Sequence, residues 1–305
     1  MELSPHLQRI YKEATLAPGA SGTPPEAQAA FALCQALDND SFQFGLEPIH
    51  TLESKSQNVH FRREETGVLP MEYLLRTFGT DGNPLNIGQG LQFLRERGLS
   101  SFFDMAVIPK AIEKALQYGE AGLPVSVNIA PESLRDDLFL DDLSQYLDTI
   151  QDIIKHPRHI VFEVPFTGQT KPETLSWIKK RQAEGYRFAV DNFGHYKPIE
   201  LEAVGRTQPA FIKIDGVLIQ GALAGDESMA PKLRKLVEAL RRVSPASRLI
   251  APWVTSVTQA KRLYQVYKID AVQGRELTKD RTLFSSQWAL MAYADAPTNN
   301  AASVN

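Results

Sequence analysis

The sequence predicts an α/β fold, a single β/α barrel, and two regularities carry the prediction. Short apolar runs rich in β-branched residues alternate with amphipathic segments of helical period along most of the 305 residues, as expected where parallel strands are joined by helices. The runs also share an ending, a polar residue at or just past the last apolar one. A barrel whose strand ends meet at one mouth would bring such residues together.

The candidate strands are residues 42–52, 68–76, 125–129, 159–164, 186–191, 210–215, 248–251 and 270–273. Helices are predicted over 101–118, 141–154, 173–184, 227–243 and 257–267, where apolar residues recur every three or four positions. The first connection breaks the alternation, because Val59-His60-Phe61-Arg62-Arg63-Glu64 reads as a strand hairpin, so the barrel should be irregular at its start. Ahead of it lie helical patterns at 7–15 and 26–37, separated by the small-residue and proline stretch Ala17 to Pro25. The expected organisation is a helical arm and linker over 1–40, a barrel over 41–293, and a polar, disordered tail over 294–305.

Composition excludes several function classes. A formal charge of −3 offers no electrostatic reason to bind DNA or RNA. Cys34 is the sole cysteine, which rules out an intramolecular disulfide and a cysteine-based zinc site and fits a reducing cytoplasm. The stretch Met1 to Gly19 lacks the basic and apolar regions of a signal peptide, and no run approaches the roughly eighteen apolar residues of a membrane span.

The polar endings are Asn128 after Val127, Glu163 after Phe162, Asp191 after Val190 and Lys213 after Ile212. Any one of them could be polar simply because the chain is leaving the core. As a set they converge, and carboxylates set against apolar runs need a partner. A hard divalent cation such as Mg²⁺ or Ca²⁺, or Mn²⁺, would serve, with oxygen ligands from carboxylates and one amide.

From about Gln43 to Asp280 the sequence resembles the EAL domain family, bacterial barrels that hydrolyse cyclic di-GMP, with the motifs in the family's order. Glu72-Tyr73-Leu74-Leu75-Arg76 matches Glu-x-Leu followed by Arg, and Asp104 and Val107-Ile108 fall at the family's spacing. Val127-Asn128-Ile129-Ala130, Glu163-Val164-Pro165-Phe166, Lys213-Ile214-Asp215 and Gln273-Gly274 match the later motifs. The resemblance implies an EAL-type modified TIM (β/α)8 barrel with an antiparallel first strand. It implies one metal held by Glu72, Asn128, Glu163 and Asp191, a catalytic role for Lys213 and Glu72, and ligand contacts from Leu74, Arg76, Asn128, Asp191, Asp215, Gln273 and Gly274.

Against that pattern Asn192 stands in place of a second aspartate, and Pro252 and Thr255 in place of the two glutamates of the family's Ala-Glu-Gly-Val-Glu-Thr. The resemblance therefore implies loss of the second metal site and of the joint activation of water that two ions provide. Phe166 replaces a glutamate, Glu47 stands where the family has a glutamine near a guanine base, and the loop His195-Tyr196-Lys197-Pro198 is rebuilt. Trp253 could stack on a base or fill the vacated space. His195 and the basic cluster Lys232, Arg234, Lys235, Arg241 and Arg242 read as a solvated loop and a solvated helix face. The expectation is a degenerate EAL domain acting as a cyclic di-GMP receptor or signalling module, with a protein partner and a possible homodimer. The alternatives are residual phosphodiesterase activity giving pGpG, or a protein-binding regulator that no longer takes the nucleotide.

Overall fold

In the computed structural model, which describes residues 8–10, 25–39, 41–55, 58–61, 71–77, 85, 87–117, 125–154, 156–194 and 196–279, the apolar runs become strands of one sheet. They are β1 (Phe42–Lys55), β2 (Asn58–Phe61), β3 (Met71–Thr77), β4 (Val125–Asn128), β5 (Ile160–Val164), β6 (Arg187–Phe193), β7 (Phe211–Ile214), β8 (Arg248–Ala251) and β9 (Ala271–Gln273). Their order is β2-β1-β3-β4-β5-β6-β7-β8-β9, and β1 also pairs with β9, which closes an eight-strand barrel with β2 outside it.

β1 runs antiparallel to both its neighbours in the barrel, with Glu47 opposite Glu72 on β3 and Ile49 opposite Gln273 on β9. The remaining pairs from β3 to β9 are parallel. The hairpin expected after the first strand is present as β2 against β1, while residues 62–64 of that reading lie outside the described residues. The tail, the linker over 17–24 and most of the helix read at 7–15 also lie outside them.

The helices are α1 (Pro25–Asp38), α2 (Ile87–Glu96), α3 (Ser100–Gln117), α4 (Asp137–Ile150), α5 (Pro172–Ala183), α6 (Pro198–Thr207), α7 (Gly216–Ala224), α8 (Met229–Val243), α9 (Val257–Tyr267) and α10 (Arg275–Lys279). The helix expected over 141–154 begins four residues earlier, because Asp136 caps it by accepting from the backbone N–H of Leu138 and Phe139 at 3.1 and 3.4 Å. α2, α6, α7 and α10 had no counterpart in the sequence reading.

Side chains two apart on a strand face the same way, and this period stacks the barrel interior in layers. Ile49, Val161, Ala189, Phe211, Ile250 and Ala271 form a buried apolar plug. A larger core lies between the strands and the surrounding helices. A third cluster joins α1, through Ala27, Ala30, Leu33, Cys34 and Leu37, to Phe93 and Leu94 of α2 and Phe103 of α3. α1 is thus packed on the barrel's outer layer, and burial pushes the Cys34 thiol up to about 12, with Asp38 adding to the shift.

The basic helix face is not merely solvated. Arg241 of α8 donates to Asp270 at 2.6 Å and to the carbonyls of Ser247 and Lys268, while the Arg234 guanidinium lies over the Tyr267 ring at 5.1 Å. These contacts tie α8 to the residue before β8 and to the segment that leads into β9.

Leu33 is fully buried in the cluster that joins α1 to the barrel. Leu33→Ala should cost about 2–5 kcal/mol, read as a lower denaturation midpoint with an unchanged slope. A midpoint equal to wild type would show that α1 adds nothing to the cooperative unit.

Candidate functional site

Two residues beyond each member of the apolar plug, towards the mouth, the same strand face presents a second layer. On β5, β6, β7 and β9 these positions are Glu163, Asp191, Lys213 and Gln273, and on antiparallel β1 the equivalent is Glu47. β3 and β4 add Glu72, opposite Glu47, and Asn128, opposite Glu163. Just past β8 the position is Pro252, which brings no polar side chain. The apolar plug beneath keeps water from the base of this layer, so its charges must satisfy one another.

Lys213 is the hub. Its ammonium donates to Glu72 at 2.8 Å and Glu163 at 2.7 Å, and lies 3.8 Å from Asp191. Glu72 also accepts from Asn128 Nδ2 at 3.0 Å and from Gln273 Nε2 at 2.6 Å. Glu163 accepts a hydrogen bond from the Ser126 hydroxyl through its other oxygen. Asn128 and Asp191 stand nearer the rim, whereas Glu72, Glu163, Lys213 and Gln273 are buried.

The ionisation pattern follows. Burial pushes Glu163 up to about 7, and the charges of Glu72 and Asp191 reinforce the shift that Lys213 opposes. Asp191 is also raised, chiefly by burial. Burial acts the same way on Glu72, but the Lys213 charge and the hydrogen bonds from Lys213, Asn128 and Gln273 outweigh it and hold Glu72 below the ordinary range. Burial alone would lower Lys213, yet the three carboxylates hold it well above the usual lysine range. The ammonium therefore stays charged, while burial favours the neutral form of Glu163 and Asp191.

Other predicted residues are placed as follows. Leu74 and Arg76 share the Glu72 face of β3 and climb towards the mouth. Asp215 caps α7, accepting from the N–H of Val217 at 2.7 Å and Leu218 at 3.4 Å. Gly274 lies where a Cβ would come within 1.9 Å of the Val254 carbonyl oxygen, so the chain after β9 can cross the end of β8 only without a side chain. Asn192 is exposed in a left-handed conformation at a break in the β6 to β7 register, a backbone state that asparagine tolerates. Thr255 lies two residues before α9 and donates its N–H to Gln259 Oε1 at 2.8 Å. His195 lies outside the described residues. Asp104, on α3, accepts from Ala130 N–H at 2.8 Å and the Ser133 hydroxyl at 2.7 Å, fixing the segment that follows Asn128.

Two participants went unread in the sequence. Ser126 is polar at the inward position two before Asn128, a signal visible in Val125-Ser126-Val127-Asn128. Arg275 directly follows Gln273-Gly274, and its Nε lies 3.9 Å from Glu47. Burial and the nearby Glu72 charge raise the Glu47 carboxyl, while Arg275, Lys213 and Arg76 counter the shift. Arg76 is destabilised as a cation by burial and by Arg275, so two positive groups crowd one side of the mouth.

The sequence pattern of the EAL domain family matches residues 32–280. This chain belongs to the EAL domain family. No curated protein sequence matches it. Among solved structures, this EAL domain is similar to a Vibrio cholerae LapD S helix-GGDEF-EAL fragment bound to c-di-GMP, at 23% identity and TM-score 0.66 over 83% of this chain and 57% of that one. It is similar to the Pseudomonas aeruginosa FimX EAL domain bound to c-di-GMP, at 22% identity and TM-score 0.61 over 82% of this chain and 94% of that one. The PaMucR phosphodiesterase in its c-di-GMP complex aligns at 19% identity and TM-score 0.64, over 84% of this chain and all of the other. The EAL domain thus spans little more than half of the LapD fragment, and at these identities the likeness is one of fold. Among the described residues no helix is long and apolar enough to cross a membrane.

EAL domains generally use divalent metals. Three carboxylates and an amide are suitable donors for a hard cation, but here they turn on Lys213, whose ammonium holds the focus that an ion would need. Among the described residues no group of three or more acidic, histidine or cysteine side chains is placed to hold a metal. As arranged, the ring does not fit one.

Lys213→Met should leave the buried carboxylates without their counter-charge and cost about 3–5 kcal/mol near neutral pH. In wild type, the raised Glu163 makes stability fall as pH rises from its unfolded value through about 7. In the variant that fall should be steeper and extend to higher pH, so urea midpoints should converge near pH 4. Equal midpoints at pH 7 would show that Lys213 is not the hub.

Proposed function

We propose that this protein is a catalytically degenerate EAL domain that acts as a cyclic di-GMP receptor. The observation that carries the reading is Pro252, the residue just past β8, at the level where the neighbouring strands present Lys213 and Gln273. In-line hydrolysis of a phosphodiester needs the attacking and leaving oxygens stabilised together. The β8 side of this mouth has no donor in that layer. Arg76 on β3 and Arg275 just past β9 offer charge-assisted hydrogen bonds suited to a phosphate diester. The family and its c-di-GMP-bound members support this ligand class.

In this reading Lys213 supplies the positive charge at the centre of the ring. A single Mg²⁺, Ca²⁺ or Mn²⁺ on Glu72, Asn128, Glu163 and Asp191 would first have to displace its ammonium. Binding is therefore expected to proceed with the divalent cation chelated. A second reading, a protein-binding regulator that acts alone or as a homodimer, is favoured by the exposed Trp253, Val217 and Ile199.

Calorimetric titration of cyclic di-GMP, with EDTA and then with Mg²⁺ or Ca²⁺, tests the proposal. Binding of similar strength in both conditions, with no linear pGpG in the recovered sample, is expected. Arg76→Ala should weaken it roughly ten- to hundred-fold. Absence of heat would overturn the receptor reading in favour of the protein-binding one, and accumulation of pGpG would establish a phosphodiesterase.

A further inference from the structure

The rim of the mouth holds one residue whose conformation the ring does not explain. Four non-glycine residues among those described have a positive φ. Gln208 and Lys268 end α6 and α9, as residues at helix C-termini commonly do, and Asn192 is of the type that tolerates this state. Trp253, at φ 62°, ends no helix and is a bulky aromatic, for which the left-handed region is a true outlier.

The surrounding chain holds it there. Gln220 of α7 donates its amide to the Trp253 carbonyl at 2.9 Å, and the next N–H, that of Val254, donates to the Gln273 carbonyl at 2.9 Å. The indole lies face-on against Gly216, where a Cβ would sit 2.4, 2.5 and 2.7 Å from Cε3, Cδ2 and Cζ3. One ring face is therefore seated on bare backbone. The residue is nonetheless 58% exposed, so the ring does not fill the interior that Pro252 leaves, and its other face is turned to solvent.

A strained backbone that presents a large aromatic face to water at the edge of a polar cavity has the form of a stacking platform. We propose that Trp253 stacks one purine of cyclic di-GMP on the indole face turned away from Gly216. This rests on the receptor reading above and adds to it a base-binding position on the β8 side of the mouth. Gly216 is part of the device, because any side chain there would lift the ring from its seat.

The experiment pairs calorimetry with tryptophan emission during titration with cyclic di-GMP. Trp253→Ala should weaken binding roughly ten- to hundred-fold with the melting temperature close to wild type. Trp253→Phe should restore most of the affinity while removing the quenching, although Trp177 and Trp288 remain. Gly216→Ala should weaken binding as well, by displacing an intact indole. Wild-type heat retained in full by Trp253→Ala, or a loss that Trp253→Phe fails to rescue, overturns the platform and leaves the receptor reading standing. No heat from wild type removes both.

Discussion

The Lys213 ammonium, set between Glu72, Glu163 and Asp191 above an apolar plug, is the interaction on which the mouth of this barrel depends. Three carboxylates so close together repel one another, and little water reaches the buried ones to screen them. The single buried cation resolves this. It lowers Glu72, limits the rise of Glu163, and fixes both side chains with bonds shorter than 3 Å. Asn128, Gln273 and Ser126 then serve as neutral donors to the carboxylate oxygens, so these members of the layer orient one another.

Closure of the sheet brings these groups together. Glu72 and Lys213 are 141 residues apart in sequence, and Glu72 and Gln273 are 201 apart. The antiparallel β1 joins β3 to β9 and so places the first and last strands of the ring side by side. The same reversal turns Glu47 into the mouth, beside Glu72 and within reach of Arg275 from the opposite end of the domain. On the β8 side the balance differs. Pro252 brings no polar side chain, Trp253 lies over Gly216 with most of its surface exposed, and Thr255 is bonded to Gln259 of α9. The charged ring is thus interrupted at β8, where the mouth carries an aromatic group between the strands of Lys213 and Gln273.

Much of the fold was legible because strand burial leaves a strong apolar signal. Each candidate strand lies on an observed one, and the hairpin after β1 was readable from Val59-His60-Phe61. What escaped was short or weakly amphipathic. α7, Gly216-Val217-Leu218-Ile219-Gln220-Gly221, is apolar almost throughout and has no helical stripe to read. α6 begins on a proline, Pro198, after a polar stretch of sequence. The start of α4 was missed because its cap, Asp136, precedes the first buried residue by three positions. The basic face of α8 looked solvated because the partners of Arg241 and Arg234 lie on the β8 to β9 connection and α9.

The sequence by itself determined the class of fold and the identity of the polar groups, since inward and outward positions on a strand follow from its two-residue period and the apolar runs mark where each strand ends. Only the tertiary structure decided what those groups do to one another. Burial depth, the reach of Lys213 to carboxylates on three other strands, and the Glu47 contact with Arg275 depend on strand register and barrel closure, which no local pattern encodes. The same holds for Trp253. Its sequence position left open whether the ring fills space or faces the mouth, and the choice came from a glycine 37 residues away in the numbering, whose missing side chain gives the ring its seat.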